Sequence, residues 1–230
     1  MPSSNAYEDA LTWGNSLGIN RYFLELWIPR QKFLAVTMTD HSLSITREDD
    51  PVYGMGFGPR PFIDPRWRRC SITRSTQRDV TEGFTLLAQW DAYIRKTDSF
   101  DVPYTVITNG ELINNFLQTH APESSVKFGD DEVRAWIGIF EGDELAGLGA
   151  ICQWESGGYV LSSIAIHNQK RGRKLGRVLV EALLNHAKSL GAARVGLGVF
   201  AGNTPAIRLY ENLGFALMGQ FNAFEIPDVP

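Results

Sequence analysis

A chain of 230 residues that is 43% hydrophobic and 21% charged has enough apolar surface for one large domain or two small ones, and too little charge for disorder. Its 22 basic and 26 acidic side chains leave a net charge of −4, which excludes a general affinity for polyanions and predicts no nucleic-acid partner. No apolar run approaches the roughly 18 residues of a membrane span, and the opening MPSSNAYEDA lacks the blocks of a secretory leader, so a cytoplasmic protein with no membrane partner is expected.

Taken in chain order, the first hundred residues read as a divergent α/β region. A helix is predicted near Tyr7 to Leu17, followed by strand-like runs at Tyr22 to Ile28, Phe33 to Met38 and Ser42 to Ile45. The segment VYGMGFGPRPFIDP is dense in Gly and Pro and reads as a loop. Its Gly54, Gly56 and Gly58 resemble a phosphate cradle only superficially, because no clear strand leads in and Pro59 blocks a helix start. Arg66, Arg68 and Arg69 read as a solvated loop face. A helical pattern from Arg78 to Lys96, carrying Val80, Phe84, Leu87, Trp90 and Ile94, closes this half. The boundary is expected near Thr97 to Val102, giving domains at 1–100 and 101–230.

The second half reads more clearly. PYTVIT is a strand and ELINNFLQTH a short helix, and VRAWIGIF, LAGLGAICQW and YVLSSIAIH are three successive strands joined by the tight turns EGDE and ESGG. The third strand is apolar on both faces, with Val160, Ile164 and Ile166 assigned to one and Leu161 and Ala165 to the other, so it should be central. A helix from about Gly172 to Leu190 follows, with Gly191 as its left-handed stop. Then come the strand RVGLGVF, a helix with Thr204 at its cap and Pro205 in its first turn, ending at Gly214, and a last pair of strands near 215–218 and 221–226. Cys70 and Cys152 stand apart without metal-ligand spacing, so they read as free thiols and no metal site is expected. The six tryptophans, Trp136 and Trp154 among them, read as core and groove walls.

One charge feature asks for an explanation: Lys170, Arg171, Arg173, Lys174 and Arg177 fall within eight consecutive positions. They surround the turn Arg171, Gly172, Arg173, Lys174, Leu175, Gly176 at the start of a helix. Unpaired amides and the positive end of the helix dipole make such a turn an anion site.

This turn, RGRKLG, and the later run FAGNTPAIRLYENLGF together resemble the GNAT superfamily of acyl-CoA-dependent N-acyltransferases. Arg171 to Gly176 stand for the signature Arg/Gln-x-x-Gly-x-Gly/Ala turn, with Lys174 in place of its first glycine. Asn203, Ala206, Tyr210, Gly214 and Phe215 match the later positions. The resemblance covers about Val102 to Ile226 and implies a mixed, largely antiparallel sheet flanked by helices, an α/β (α+β) fold. The first hundred residues would be either a degenerate GNAT-like half or an added α/β extension.

The resemblance further implies that acetyl-CoA or a related acyl-CoA lays its pyrophosphate on the amides from Gly172 to Arg177, and its pantetheine arm beside Ile164, Ala165 and Ile166. Tyr210 would protonate the departing thiolate, or else pack as an ordinary aromatic residue. Asn203 would bind the pantetheine or organise the helix start. The base is less clear: many members carry a Glu early in the central strand, where this chain has Val160. Glu155 is a candidate base from the preceding turn, Ser162 or Ser163 would hold a relay water, and His120 and His167 read as non-catalytic. The expected activity is acyl transfer to a primary amine of a small molecule or peptide, without a metal. Two rivals are a non-catalytic acyl-CoA sensor and a nucleotide-dependent enzyme using residues 54 to 58.

Overall fold

The structure is a computed structural model that describes residues 1–227. Its first elements are β1 (Ser3–Ser4), α1 (Tyr7–Ser16), α2 (Arg21–Trp27), β2 (Phe33–Thr39), β3 (Ser42–Arg47), β4 (Tyr53–Phe57), β5 (Arg69–Thr73) and β6 (Thr85–Lys96). Then follow β7 (Thr105–Ile107), α3 (Gly110–His120), β8 (Val133–Glu141), β9 (Glu144–Gln153), β10 (Tyr159–Ile166), α4 (Leu175–Ser189), β11 (Arg194–Phe200), α5 (Thr204–Asn212) and β12 (Ala216–Glu225). The strands form mixed, largely antiparallel sheet flanked by helices. Two compact units result: Met1–Tyr93 with Gly198–Thr204 and the chain from Leu217, and Ile94–Leu197 with Pro205–Ala216.

In the first unit β1 to β4 pair antiparallel in sequence, β4 and β5 pair parallel, and β12 runs antiparallel to β5. Its core is aromatic: Phe23 stacks on Phe221 at 5.6 Å and Trp90 on Phe221 at 4.6 Å. Three predicted elements differ here. Tyr22 to Ile28 is not a strand but α2, because the Asn20 side chain accepts from Phe23 N (3.2 Å) and caps a turn that buries Phe23, Leu24 and Trp27. The predicted loop at 52–65 contains β4. The predicted helix at 78–96 is a 3-10 turn, Arg78–Thr81, and then β6; Gly83 at φ 82° parts them, and burial of Ala92, Tyr93 and Ile94 against neighbouring strands overrides the helical spacing. The last two predicted strands are one, β12.

The second unit repeats the pairing directions. β7, β8, β9 and β10 are antiparallel in turn, and β10 is parallel to β11. The EGDE and ESGG turns close the two hairpins as predicted. Asn109 caps α3 by accepting from Leu112 N at 3.1 Å. The apolar stripe of α4 buries Leu179, Val180, Leu183, Leu184 and Ala187, and Leu183 lies so close to Gly149 that a Cβ there would meet it at 2.8 Å. At its end Gly191 takes φ 88°, as a left-handed stop requires.

The parallel pairs of the two units differ in one respect that matters for function. β4 and β5 stay in register through four pairs, Tyr53↔Arg69 to Gly56↔Ile72. β10 and β11 meet only at Tyr159↔Val195 and Val160↔Gly196, after which β10 continues to Ile166.

Candidate functional site

The released part of β10 carries a bulge. Its register with β9 shifts between Ser162 and Ala165, and Ser163 is driven to φ 51°, a conformation that a residue with a Cβ rarely adopts. The extra residue re-sorts the faces: Val160 and Ala165 lie opposite Cys152 and Leu148, whereas Leu161 lies opposite Ile151 and Ile166 opposite Gly147. Ile164 reaches the Gly149 side. Thus Ile164 and Ile166 part from Val160 and join Leu161, a correction to the predicted alternation. The bulge is held by hydroxyls, Ser163 donating to Val126 O (3.1 Å) and Ser162 lying 3.2 Å from Ser125 Oγ.

Beyond Ile166 the chain makes a short 3-10 turn, Asn168–Lys170, capped by the His167 ring accepting from Gln169 N. It then enters the turn before α4. Gly172 takes φ 80° and Lys174 φ 63°, and α4 begins at Leu175, three residues later than the spacing suggests. Such alternation aims successive N–H groups into one concavity. The amides of Gly172, Arg173, Lys174, Leu175 and Gly176 donate to no group among the described residues. They are five main-chain donors at the positive end of a 15-residue helix.

Lys174 holds the left-handed position that glycine fills at no steric cost. Replacing it with glycine, Lys174→Gly, is expected to raise the unfolding free energy by roughly 0.5–1 kcal/mol. A urea titration with an unchanged slope would register this as a higher midpoint; a lower midpoint would mean that the lysine is not strained.

The basic cluster is less charged than its composition suggests. Lys170 pairs with Glu144 (2.8 Å) and Glu141 (3.2 Å), Arg173 with Glu141 (2.8 Å) and Arg177 with Glu181 (2.8 Å). Arg171 donates to the carbonyl of His120 (3.3 Å), and Lys174 has no ion pair among the described residues. Two net cations therefore flank the amides.

Helix α5 approaches the same turn, since a Cβ on Gly176 would meet Leu209 at 3.1 Å. Ala206 and Tyr210 lie one turn apart on α5 and share a face. Tyr210 is buried, packs on Phe215 at 5.6 Å, and its hydroxyl has no hydrogen-bond partner among the described residues. Desolvation pushes its pKa up to about 12, so the phenol keeps its proton at neutral pH. Asn203 lies in the turn before α5, its amide donating to Phe200 O at 2.8 Å.

Glu155 is not brought to this site. It is exposed in the turn that precedes β10, and the length of the strand, ~3.3 Å per residue, separates it from the bulge. Val160 is fully buried. Gly54, Gly56 and Gly58 form no phosphate cradle: Gly54 and Gly56 lie in β4 beneath Trp67 and Pro61, and Gly58 backs onto His41 O. Trp90 lies on β6, not on a helix.

One grouping escapes the sequence altogether. The rings of His120 and His167 stand 4.2 Å apart, with His120 Nδ1 accepting from Asn168 N and His167 Nε2 3.4 Å from Glu144. Partial burial, with His167 and Arg171 nearby, holds His120 below its ordinary pKa, and burial does the same to His186. The folded chain thus binds fewer protons than the unfolded one near pH 6.5, so stability present above about 6.5 is lost as pH falls through that value. Thermal midpoints should decline from pH 7.5 toward 5.5, and His120→Gln should flatten part of the decline; a wild-type midpoint that does not decline would contradict this.

Among the described residues, no group of three or more His, Cys, Asp and Glu is placed to hold a metal, and no helix is long and apolar enough to cross a membrane. The profile of the Acetyltransferase (GNAT) family matches residues 90–215. A mycothiol acetyltransferase of Corynebacterium glutamicum is 34% identical over 87 residues, 38% of this chain and 30% of that protein. A streptothricin acetyltransferase of Streptomyces lavendulae is 30% identical over 92 residues, 39% of this chain and 48% of that protein. The matched segments thus span less than half of either relative. Among solved structures, a GCN5-related N-acetyltransferase from Sphaerobacter thermophilus superposes with a TM-score of 0.59 at 13% identity, covering 100% of this chain and 96% of that one. Another from Kribbella flavida gives 0.58 at 13% identity, covering 96% and 97%. This likeness of fold extends over the amino-terminal unit as well.

Proposed function

Because the chain belongs to the GNAT family of acetyltransferases, we propose that it transfers an acetyl or other short acyl group from acyl-CoA to a primary amine of a small molecule or peptide. The observation that carries this reading is the stretch of β10 released from β11 and leading into five amides that lack partners among the described residues. Acetyl-CoA supplies an activated acyl group as its thioester. The amides of Gly172 to Gly176, with Arg171, Lys174 and Arg177 around them, suit its phosphates. The chain beside Ile164, Ala165 and Ile166 has main-chain groups free to bind the pantetheine and polarise the thioester carbonyl. The family resemblance assigns the same arm to Asn203 and Ala206.

Tyr210 holds a proton on its hydroxyl for the leaving sulfur. With Glu155 remote and Val160 apolar, proton removal from the amine falls to water held near the Ser125 and Ser162 hydroxyls. The repeated order of strand pairing, with α4 replaced by the segment between β4 and β5, supports reading the amino-terminal half as a degenerate copy whose cofactor cleft is closed.

The test is thiol release from acetyl-CoA across amines, polyamines, amino acids, aminoglycosides and peptides. Turnover on any class supports the transferase. Acetyl-CoA binding without turnover favours the second reading, an acyl-CoA sensor, to which the absence of a carboxylate at Val160 points. Lys174→Gly should weaken acetyl-CoA binding about 5-fold by removing one unpaired cation.

A further inference from the structure

A second constellation lies wholly within the first unit and takes no part in the proposed acyl transfer. Past the end of β5 a cavity of about 290 Å³ opens, walled by the segment from Arg74 to Thr81 and by β6 and β12. Ile72 and Phe224, both buried, form its apolar floor. The wall is pre-set rather than loose. Thr73 Oγ1 accepts from Gly58 N (3.0 Å), Thr76 donates to Gly58 O (2.7 Å), and Thr81 donates to Arg78 O (3.3 Å).

With the threonines so engaged, the groups left to face a ligand are guanidinium and amide. Arg78 lines the cavity and has no ion pair among the described residues. Arg74 is tied to Asp91 and to Trp90 O, yet its Nε–H is buried without an acceptor. A buried donor in that condition is rare and costly. Gln89 Nε2 donates to Asn222 Oδ1 (2.9 Å), leaving the Asn222 amide N–H turned to other partners. Among the described residues no carboxylate lines the space: Asp79, in the wall segment, pairs with Arg60 (2.7 Å), and Asp91, two residues along β6 from Gln89, is taken up by Arg74 and by Gln220 Nε2.

We infer that this cavity binds a small ligand through an oxyanion, a carboxylate or a phosphate, received by Arg78 with the Arg74 side chain alongside in the wall. A planar guanidinium fork suits such a group, and the volume sits at the lower end of ligand pockets, which limits the occupant to roughly amino-acid size.

The test uses the full chain, isotopically labelled, with inorganic phosphate and succinate as separate probes. Binding is read from the amide shifts of residues 74–81, so phosphate captured at Gly172 to Gly176 is not counted. Saturable shifts below roughly 10 mM are expected with at least one probe, phosphate marking a phosphorylated ligand and succinate a carboxylate. Arg78→Gln, at an exposed position, should weaken that binding about 10-fold while acetyl-CoA affinity and the thermal midpoint hold. Equal affinity in the variant, or no saturation by either probe, would overturn the inference and leave the acyl-transfer reading untouched.

Discussion

Tyr210→Phe is expected to cut the acetyl-transfer rate by on the order of 10²-fold with little change in the affinity for acetyl-CoA. The phenol sits in a desolvated place against Phe215 and keeps its proton, with a pKa pushed up to about 12. At neutral pH the hydroxyl is therefore protonated and has a hydrogen to offer a sulfur acquiring charge. The same variant should unfold at an unchanged or slightly higher temperature, because its hydroxyl satisfies no acceptor among the described residues. Steady-state kinetics beside a thermal melt separates the roles: unchanged turnover would remove Tyr210 from the chemistry, and a lost fold would make it structural.

Gly54→Ala is expected to destabilise the first unit by about 3 kcal/mol or more. The added methyl would meet the six-membered ring of Trp67 at 2.0–2.2 Å. That ring has nowhere to go, since it is 1% exposed and its indole N–H is anchored to Thr46 Oγ1 at 2.9 Å. Denaturant unfolding measures the loss. The double variant with Trp67→Leu should recover part of it, because the two changes share one space; strict additivity would show that the clash is not the cause.

Trp67 also explains why part of this fold is opaque to sequence reasoning. A run of three alternating glycines looks like a loop or a cradle until an indole 13 residues away is known to lie on it. The β6 segment misleads in the opposite way. Val80, Phe84, Leu87 and Ile94 have helical spacing, yet the strand they enter is decided by neighbours far along the chain. By contrast, the order from β7 to α5 is readable because its signals are local: EGDE and ESGG turns, Asn109 before α3, Gly191 after α4 and Pro205 in the first turn of α5. At the candidate site the RGRKLG turn stands out for the same reason, whereas Tyr210 is singled out only by the family resemblance. The bulge at Ser163 does not, because a register shift leaves no mark on residue type. Nor does the approach of His120 to His167, which are separated by an entire hairpin.

The ion pairs that Glu141 and Glu144 make with Lys170 and Arg173 carry a consequence for behaviour in salt. The hairpin tip acts as a built-in counter-ion, so the entrance to α4 attracts anions over a shorter range than five clustered cations would. Raising ionic strength should therefore slow the capture of a charged nucleotide only mildly. Neutralising Glu141 and Glu144 would unmask those cations and make capture faster and far more sensitive to salt.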